Sequence, residues 1–399
     1  MQVKNGSIAI LNWTTTSPIP AGFFKGAQEL EQTGRGTVPH RLPAKALAQA
    51  NHDAQLVMAE AQPSGVRLAF RSSASTVELD TVRSRLSYSG APAQPDGVIE
   101  LVVNGAVMAS SATRGGNTTT IDMATGAVSQ AAGPVCTSRF TGLPEGTNSI
   151  ELWLPHNEQT EVVALRTDAS VELAPATGLP VWLHHGSSIS HGSNATRPTA
   201  IWPAVAARLG GVELSNMALR GSALLDQFTA RAMRDAPADL ISVKIGINLV
   251  NLDLMRLRAF GPAVHGFLDT IRDGHPTTPL LVVSPIHCAI HEGTPGPGAF
   301  DLAALSSGEI RFCATGDPAD IPAGKLTLQV IRQELERIVR QRAQDDVNIH
   351  YLDGLALYGA HDENELPLPD ALHPDETTHH VIGERFAALA FAPGAPFGA

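Results

Sequence analysis

The residues best suited to do chemistry lie in four short stretches of the second half of the sequence. Gly186-Ser187-Ser188-Ile189-Ser190 offers hydroxyls beside a glycine, and Asp370-Ala371-Leu372-His373-Pro374 offers a carboxylate and an imidazole three residues apart. Between them lie Asn216-Met217-Ala218-Leu219-Arg220-Gly221 and Gly246-Ile247-Asn248. A serine hydroxyl is a weak nucleophile until a neighbouring base takes its proton, and histidine suits that role near neutral pH. An aspartate on the same loop can hold the imidazole in the correct tautomer and stabilise the imidazolium. The oxyanion that follows needs donors, each worth ~3–4 kcal/mol of the barrier. The amides of Ser188 and Gly221 and the side-chain NH₂ of Asn248 would supply them. Arg220, beside the glycine, could contact an acidic substrate or be an ordinary paired arginine, and His191 is a further candidate for substrate contact. Taken singly, each of these residues has a plain structural use in a turn or at a helix start; their order and spacing argue for the set.

The elements that must hold these residues change character near residue 175. Before it, short runs alternate apolar and polar residues, as at 65–70, 76–79, 98–103 and 149–154. Asp96-Gly97 and Asn104-Gly105 bracket one run as turn dipeptides. Apart from 43–49 no helical period is evident, which predicts an antiparallel β-sandwich over 1–175. From 176 to 399 the order becomes strand, loop, helix. Strands are expected at 181–185, 212–216, 240–245, 280–284 and 350–352, with helices at 200–209, 222–233, 262–272, 325–342 and after Pro374. Thr199 is a candidate cap for the first of these helices, with Pro203 in its first turn. The pattern predicts a parallel, doubly wound α/β layer, in which ligands bind at the carboxyl ends of the strands, where the four stretches fall. Residues 285–323 hold several Gly and Pro and no long element, and read as a lid or pocket wall, or as a surface insertion.

The ordered stretches resemble the blocks of the SGNH/GDSL hydrolase family. Gly186-Ser187-Ser188-Ile189 is similar to the family's Gly-Asp-Ser-Ile block and aligns Ser188 with the nucleophile. Gly221 matches the oxyanion glycine, Gly246-Ile247-Asn248 the Gly-x-Asn block, and Asp370 with His373 the Asp-x-x-His-Pro block; Trp202-Pro203 also resembles a pair found in some relatives. The resemblance covers roughly the C-terminal half and implies a flavodoxin-like sheet. One position departs: Ser187 stands where the family has aspartate. A β-sandwich before such a domain resembles certain carbohydrate esterases, whose N-terminal jelly roll packs beside the catalytic cleft, which would imply a jelly-roll-like first domain and an acetylated sugar or glycoside as substrate. Other relatives in secondary metabolism are O-acyltransferases that move an acyl group from a thioester to a hydroxyl.

The composition narrows the alternatives. A net charge of −11 without any basic run disfavours nucleic acid as a partner. No apolar run approaches the ~18–20 residues needed to span a bilayer, and the first residues lack a signal-peptide pattern, so a soluble, cytoplasmic chain is expected. The three cysteines, Cys136, Cys288 and Cys313, form neither a disulfide framework nor a zinc cage, although a 288–313 bridge stays open. His184 and His185, adjacent on a strand, face opposite sides and cannot easily share a metal ion. No HExxH, Walker A loop or GxSxG elbow is present, and no cofactor is expected. The expectation is a carboxylic-ester hydrolase acting through an acyl-enzyme on a small acylated molecule. An O-acyltransferase with an acyl donor and a hydroxyl acceptor is the alternative, and a binding module on an inactive hydrolase-like domain the third reading.

Overall fold

A computed structural model describes residues 13–50, 53–89, 94–122 and 125–398. The extreme N-terminus, where a signal sequence was sought, lies outside the described residues. Two sheets form the first part of the chain. One has eight strands around the long Thr76–Ser89 strand, and the other has six, with Arg67–Ser72, Asn148–Trp153 and Val98–Val103 adjacent. Their inward residues, among them Leu68, Phe70, Leu79, Ile99, Leu101, Ile150 and Leu165, make one buried cluster, as period-2 alternation requires. Asn104 and Gly105 both have positive φ and close a hairpin into Ala106–Ala112. Asp96-Gly97 makes no such turn; Asp96 accepts hydrogen bonds from Arg83 and Arg85. The sandwich is antiparallel except where Thr76–Ser89 runs parallel to Asn117–Asp122.

Five parallel strands follow, in the spatial order Glu213–Asn216, Val181–His185, Leu240–Lys244, Leu280–Val283, Ile349–Leu352. This flavodoxin-like order puts the strand leading to Ser188 between the strands leading to Gly221 and Asn248. Helices Trp202–Gly210 and Glu376–Ala390 pack together, while Leu257–Gly274 packs against both Gln227–Asp235 and Leu328–Arg342. Trp182, Trp202 and Phe386 form an aromatic cluster between sheet and helix, with Trp182 stacked on Phe386 at 5.0 Å. Three expectations shift. The helix read from 222 begins at Gln227, because residues 221–225 are spent on a turn with positive φ at Gly221 and Leu225. Thr199 does not cap its helix: its N–H and hydroxyl go to the buried Glu100 carboxylate of the sandwich at 3.0 and 2.6 Å. The Ala54–Ala61 helix lies where no helical period was expected; Asp53 caps it by accepting from the Leu56 N–H.

The sandwich packs beside the Glu213–Asn216 edge strand. Gln28 Nε2 donates to Ser215 Oγ at 2.8 Å, Asn216 Nδ2 donates to Ser64 Oγ at 3.0 Å, and Arg67 pairs with Glu213. An edge that would otherwise be open is thereby covered.

Candidate active site

The Val181–His185 strand ends at Gly186, and the chain turns at once into the one-turn helix Ser188–His191. Ser188, 5% exposed, is the first residue of that turn, so its N–H has no acceptor within the helix. Its hydroxyl donates to Nε2 of His373 at 3.0 Å, and Nδ1–H of His373 donates to Oδ2 of Asp370 at 2.7 Å. Asp370 Oδ1 also accepts the backbone N–H groups of Leu372 and His373, at 2.9 and 2.6 Å. That loop closure puts Ala371 at φ 65, a left-handed backbone that a side chain makes unfavourable. Asn194, itself at φ 66, adds a fourth donor, its Nδ2 lying 3.2 Å from Asp370 Oδ2. Burial pushes the Asp370 carboxyl upward, but the His373 ring and the two backbone donors outweigh it and hold it below its ordinary range. The structure thus brings Ser188, His373 and Asp370 into one hydrogen-bonded chain of the kind that activates a serine.

Gly221 has φ 74, and the backbone hydrogen bonds of its turn engage Leu219 and Ser222 N–H, leaving the Gly221 N–H without an acceptor among the described residues. Asn248 stands in the short helix Ile247–Asn251. Its Oδ1 accepts from Ala223 N–H at 3.2 Å, which fixes the amide orientation and leaves its NH₂ unused. Gly246 makes this geometry possible: at φ 137 a Cβ there would lie 2.7 Å from Pro285 Cγ. Ser188 N–H, Gly221 N–H and Asn248 NH₂ therefore follow three neighbouring strand ends.

The 285–323 segment is built from short pieces. A hairpin pairs Gly298–Phe300 with Phe312–Ala314, and the Phe312 ring stands edge-on to His373 at 5.6 Å while its N–H donates to Asp370 O at 2.9 Å. The segment forms an apolar wall at the imidazole. Cys288 in the same region donates its S–H to Ala371 O at 3.4 Å, and all three cysteines are free thiols, so the 288–313 bridge is absent.

Several residues stand differently from the expectation. His191 is 1% exposed; it donates Nε2–H to His156 O at 2.6 Å and accepts at Nδ1 from Arg41 at 3.1 Å. With both nitrogens taken by protein groups, the ring cannot serve as a substrate contact, which corrects that expectation. His184 is held by Ser242 and Ser190 hydroxyls and His185 by Met217 O, on opposite faces of the strand. Ser187 Oγ is buried without a hydrogen-bond partner. Arg220 is half-buried next to Gly221, and its carbonyl accepts from Gln55 Nε2 at 2.7 Å. Sequence reasoning missed Asn194, Arg41 and Gln55. Only Asn194 carried a local signal, an asparagine following Gly-Ser in a turn.

Comparison with known proteins fits this geometry. Residues 185–381 match the profile of the GDSL-like Lipase/Acylhydrolase family. Salicylyl-acyltransferase SsfX3 from a tetracycline biosynthetic pathway is similar over 94% of this chain and 95% of its own, with 25% identity and a TM-score of 0.76. A GDSL-like lipase from Bacteroides ovatus aligns over 94% and 96% at 16% identity, TM-score 0.65. A family two carbohydrate esterase from Clostridium thermocellum aligns over 82% and 91% at 13%, TM-score 0.52. No curated protein matches the sequence. No helix among the described residues is long and apolar enough to cross a membrane. Residues 185–381 are therefore a GDSL-like lipase/acylhydrolase domain, set behind an N-terminal β-sandwich in a fold shared with an acyltransferase and GDSL-like esterases.

Proposed function

We propose that the protein is a serine-dependent ester enzyme whose Ser188 attacks the carbonyl of a small acylated molecule. The observation that carries this reading is the 3.0 Å contact from Ser188 Oγ to His373 Nε2, continued at 2.7 Å to Asp370. His373 takes the Ser188 proton as the serine oxygen bonds to the carbonyl carbon. The oxyanion so formed faces the Ser188 and Gly221 amides and the Asn248 NH₂. Collapse expels the alcohol, which leaves with the proton from His373, and an acyl-serine remains. Water, deprotonated by His373, then releases the acid. Asp370 stays ionised throughout and stabilises the imidazolium.

A second reading, acyl transfer, follows the same first half, with a hydroxyl acceptor replacing water. Similarity to the salicylyl-acyltransferase through both the sandwich and the α/β layer favours it, as does the Phe312 wall beside His373, which limits water at the imidazole. The experiment that separates the readings is p-nitrophenol release from acetyl and longer acyl esters, with and without an added alcohol. Release that requires Ser188 and ignores the alcohol supports hydrolysis; slow release diverted into a new ester supports transfer. Turnover undiminished in Ser188→Ala would overturn both.

A further inference from the structure

We infer that Arg220 binds a carboxylate carried by the substrate, so that the molecule handled at Ser188 is acidic; this deepens the ester-enzyme reading and rests on it. Arg220 is half-buried, yet its guanidinium makes no hydrogen bond or ion pair with any described residue. The contrast with other shielded arginines is sharp: Arg41 has backbone carbonyls, Arg67 has Glu151, Arg166 has Asp80, Arg272 has Asp346 and Arg332 has Glu292. A cation removed from water without a partner is costly, and a fold tolerates it where a ligand completes the pairing.

The carboxylate whose charge reaches Arg220 does not supply the missing bond. Asp370 is the carboxylate that attracts Arg220. Both Asp370 oxygens are already engaged, however, one by two backbone N–H groups and the other by His373 Nδ1–H and Asn194 Nδ2. The remaining ionisable neighbours, His156 and His191, are buried and kept neutral, His156 being pushed down to about 3 by burial. Nothing else near this guanidinium neutralises it.

Its placement suits recognition at the reacting centre. Arg220 directly precedes Gly221, and the turn that carries both is pinned by Leu219 N–H to Gly186 O at 2.8 Å and by Gln55 Nε2 to Arg220 O at 2.7 Å. Gln55 also lies over Gly221, its Nε2 3.1 Å from where a Cβ would stand. A planar guanidinium on a rigid turn takes a carboxylate through two parallel hydrogen bonds, a geometry an ammonium cannot reproduce.

The test uses binding, so it does not depend on turnover. Full-length Ser188→Ala protein is titrated calorimetrically with 4-acetoxybenzoate, which carries its carboxylate on the alcohol side, and with mono-p-nitrophenyl succinate, which carries it on the acyl side. Each is compared with its methyl ester. The expected result is that one of the acids binds at least ~10-fold tighter than its methyl ester. Adding Arg220→Gln abolishes that ratio, and Arg220→Lys keeps part of it; the arm that shows the preference tells which side of the ester carries the charge. Equal binding of acids and methyl esters overturns the inference before any arginine variant is needed. A preference that survives Arg220→Gln overturns it as well, as does one left undiminished in Arg220→Lys if the glutamine variant does not fold. Failure of wild-type protein to turn over any ester would instead count against the ester-enzyme reading.

Discussion

Arg41, on the sandwich, donates a 3.1 Å hydrogen bond to Nδ1 of His191, the residue that ends the one-turn helix begun by Ser188. The same guanidinium donates to the carbonyls of Gln62 and Asn216, at 2.6 and 3.2 Å, and to those of Ala59 and Ala218. Ser64 Oγ adds a 2.7 Å bond to His191 O. The sandwich is therefore joined to the backbone on both sides of the candidate oxyanion site.

Removing this junction should be costly. Arg41→Met leaves several carbonyls buried without donors, and a loss of ~3–5 kcal/mol is expected on breaking such a buried charged network. Urea unfolding measures it. Ester turnover should fall along with stability, because Ala218 O and His191 both lose their anchor. A variant as stable as wild type would show that the sandwich and the α/β layer are joined by other means.

Asn248→Ala should lower kcat by ~10²–10³-fold with little change in KM, as expected for a donor that acts mainly on the oxyanion. A larger effect on KM than on kcat would mean that Asn248 binds the substrate in its ground state.

The neighbouring hydroxyls give a test of register. Ser187 Oγ has no partner to lose, so Ser187→Ala should leave stability and turnover within about twofold of wild type. Ser190 Oγ is tied to His184 Nε2 at 2.9 Å, so Ser190→Ala should destabilise by ~1 kcal/mol while leaving the acyl-serine chemistry in place. Abolished turnover in Ser187→Ala would shift the nucleophile assignment.

Acid should loosen this same region first. Burial lowers His156 to about 3 and His185 and His379 to about 4. Each histidine takes up a proton more readily when unfolded, near pH 6.5. Stability from these groups is complete above that pH and is lost as pH falls toward 4, because the unfolded chain then binds more protons. The unfolding temperature should drop by about 10 °C between pH 7 and 4.5, and His379→Gln, which keeps a donor for Ser193 O, should flatten the slope. A pH-independent midpoint over this window would contradict the burial argument.

What the sequence made legible was local. The parallel strands announced themselves as apolar runs, and Ser188, Asn248 and the Asp370/His373 pair could be found because each follows a strand or opens a helix. The Ala54–Ala61 helix was hidden because apolar residues run all round it, while its buried face joins the Glu60 carboxylate to Leu56 and Ala59. Arg41 was illegible for a related reason. Its partners, such as Asn216 and His191, lie far along the chain, and no local pattern encodes a long-range polar contact. His191 was misjudged for the same cause: proximity to Ser188 in sequence suggested a substrate contact, whereas the ring turns into the junction with the sandwich.

The most direct test of the account is to trap the acyl-enzyme. Wild-type protein mixed with p-nitrophenyl acetate is quenched in acid and mapped by peptide mass spectrometry. The account predicts one acetyl group on Ser188, absent in Ser188→Ala and much reduced when His373→Ala is used. An acetyl group on another residue, or turnover unimpaired in Ser188→Ala, would contradict it.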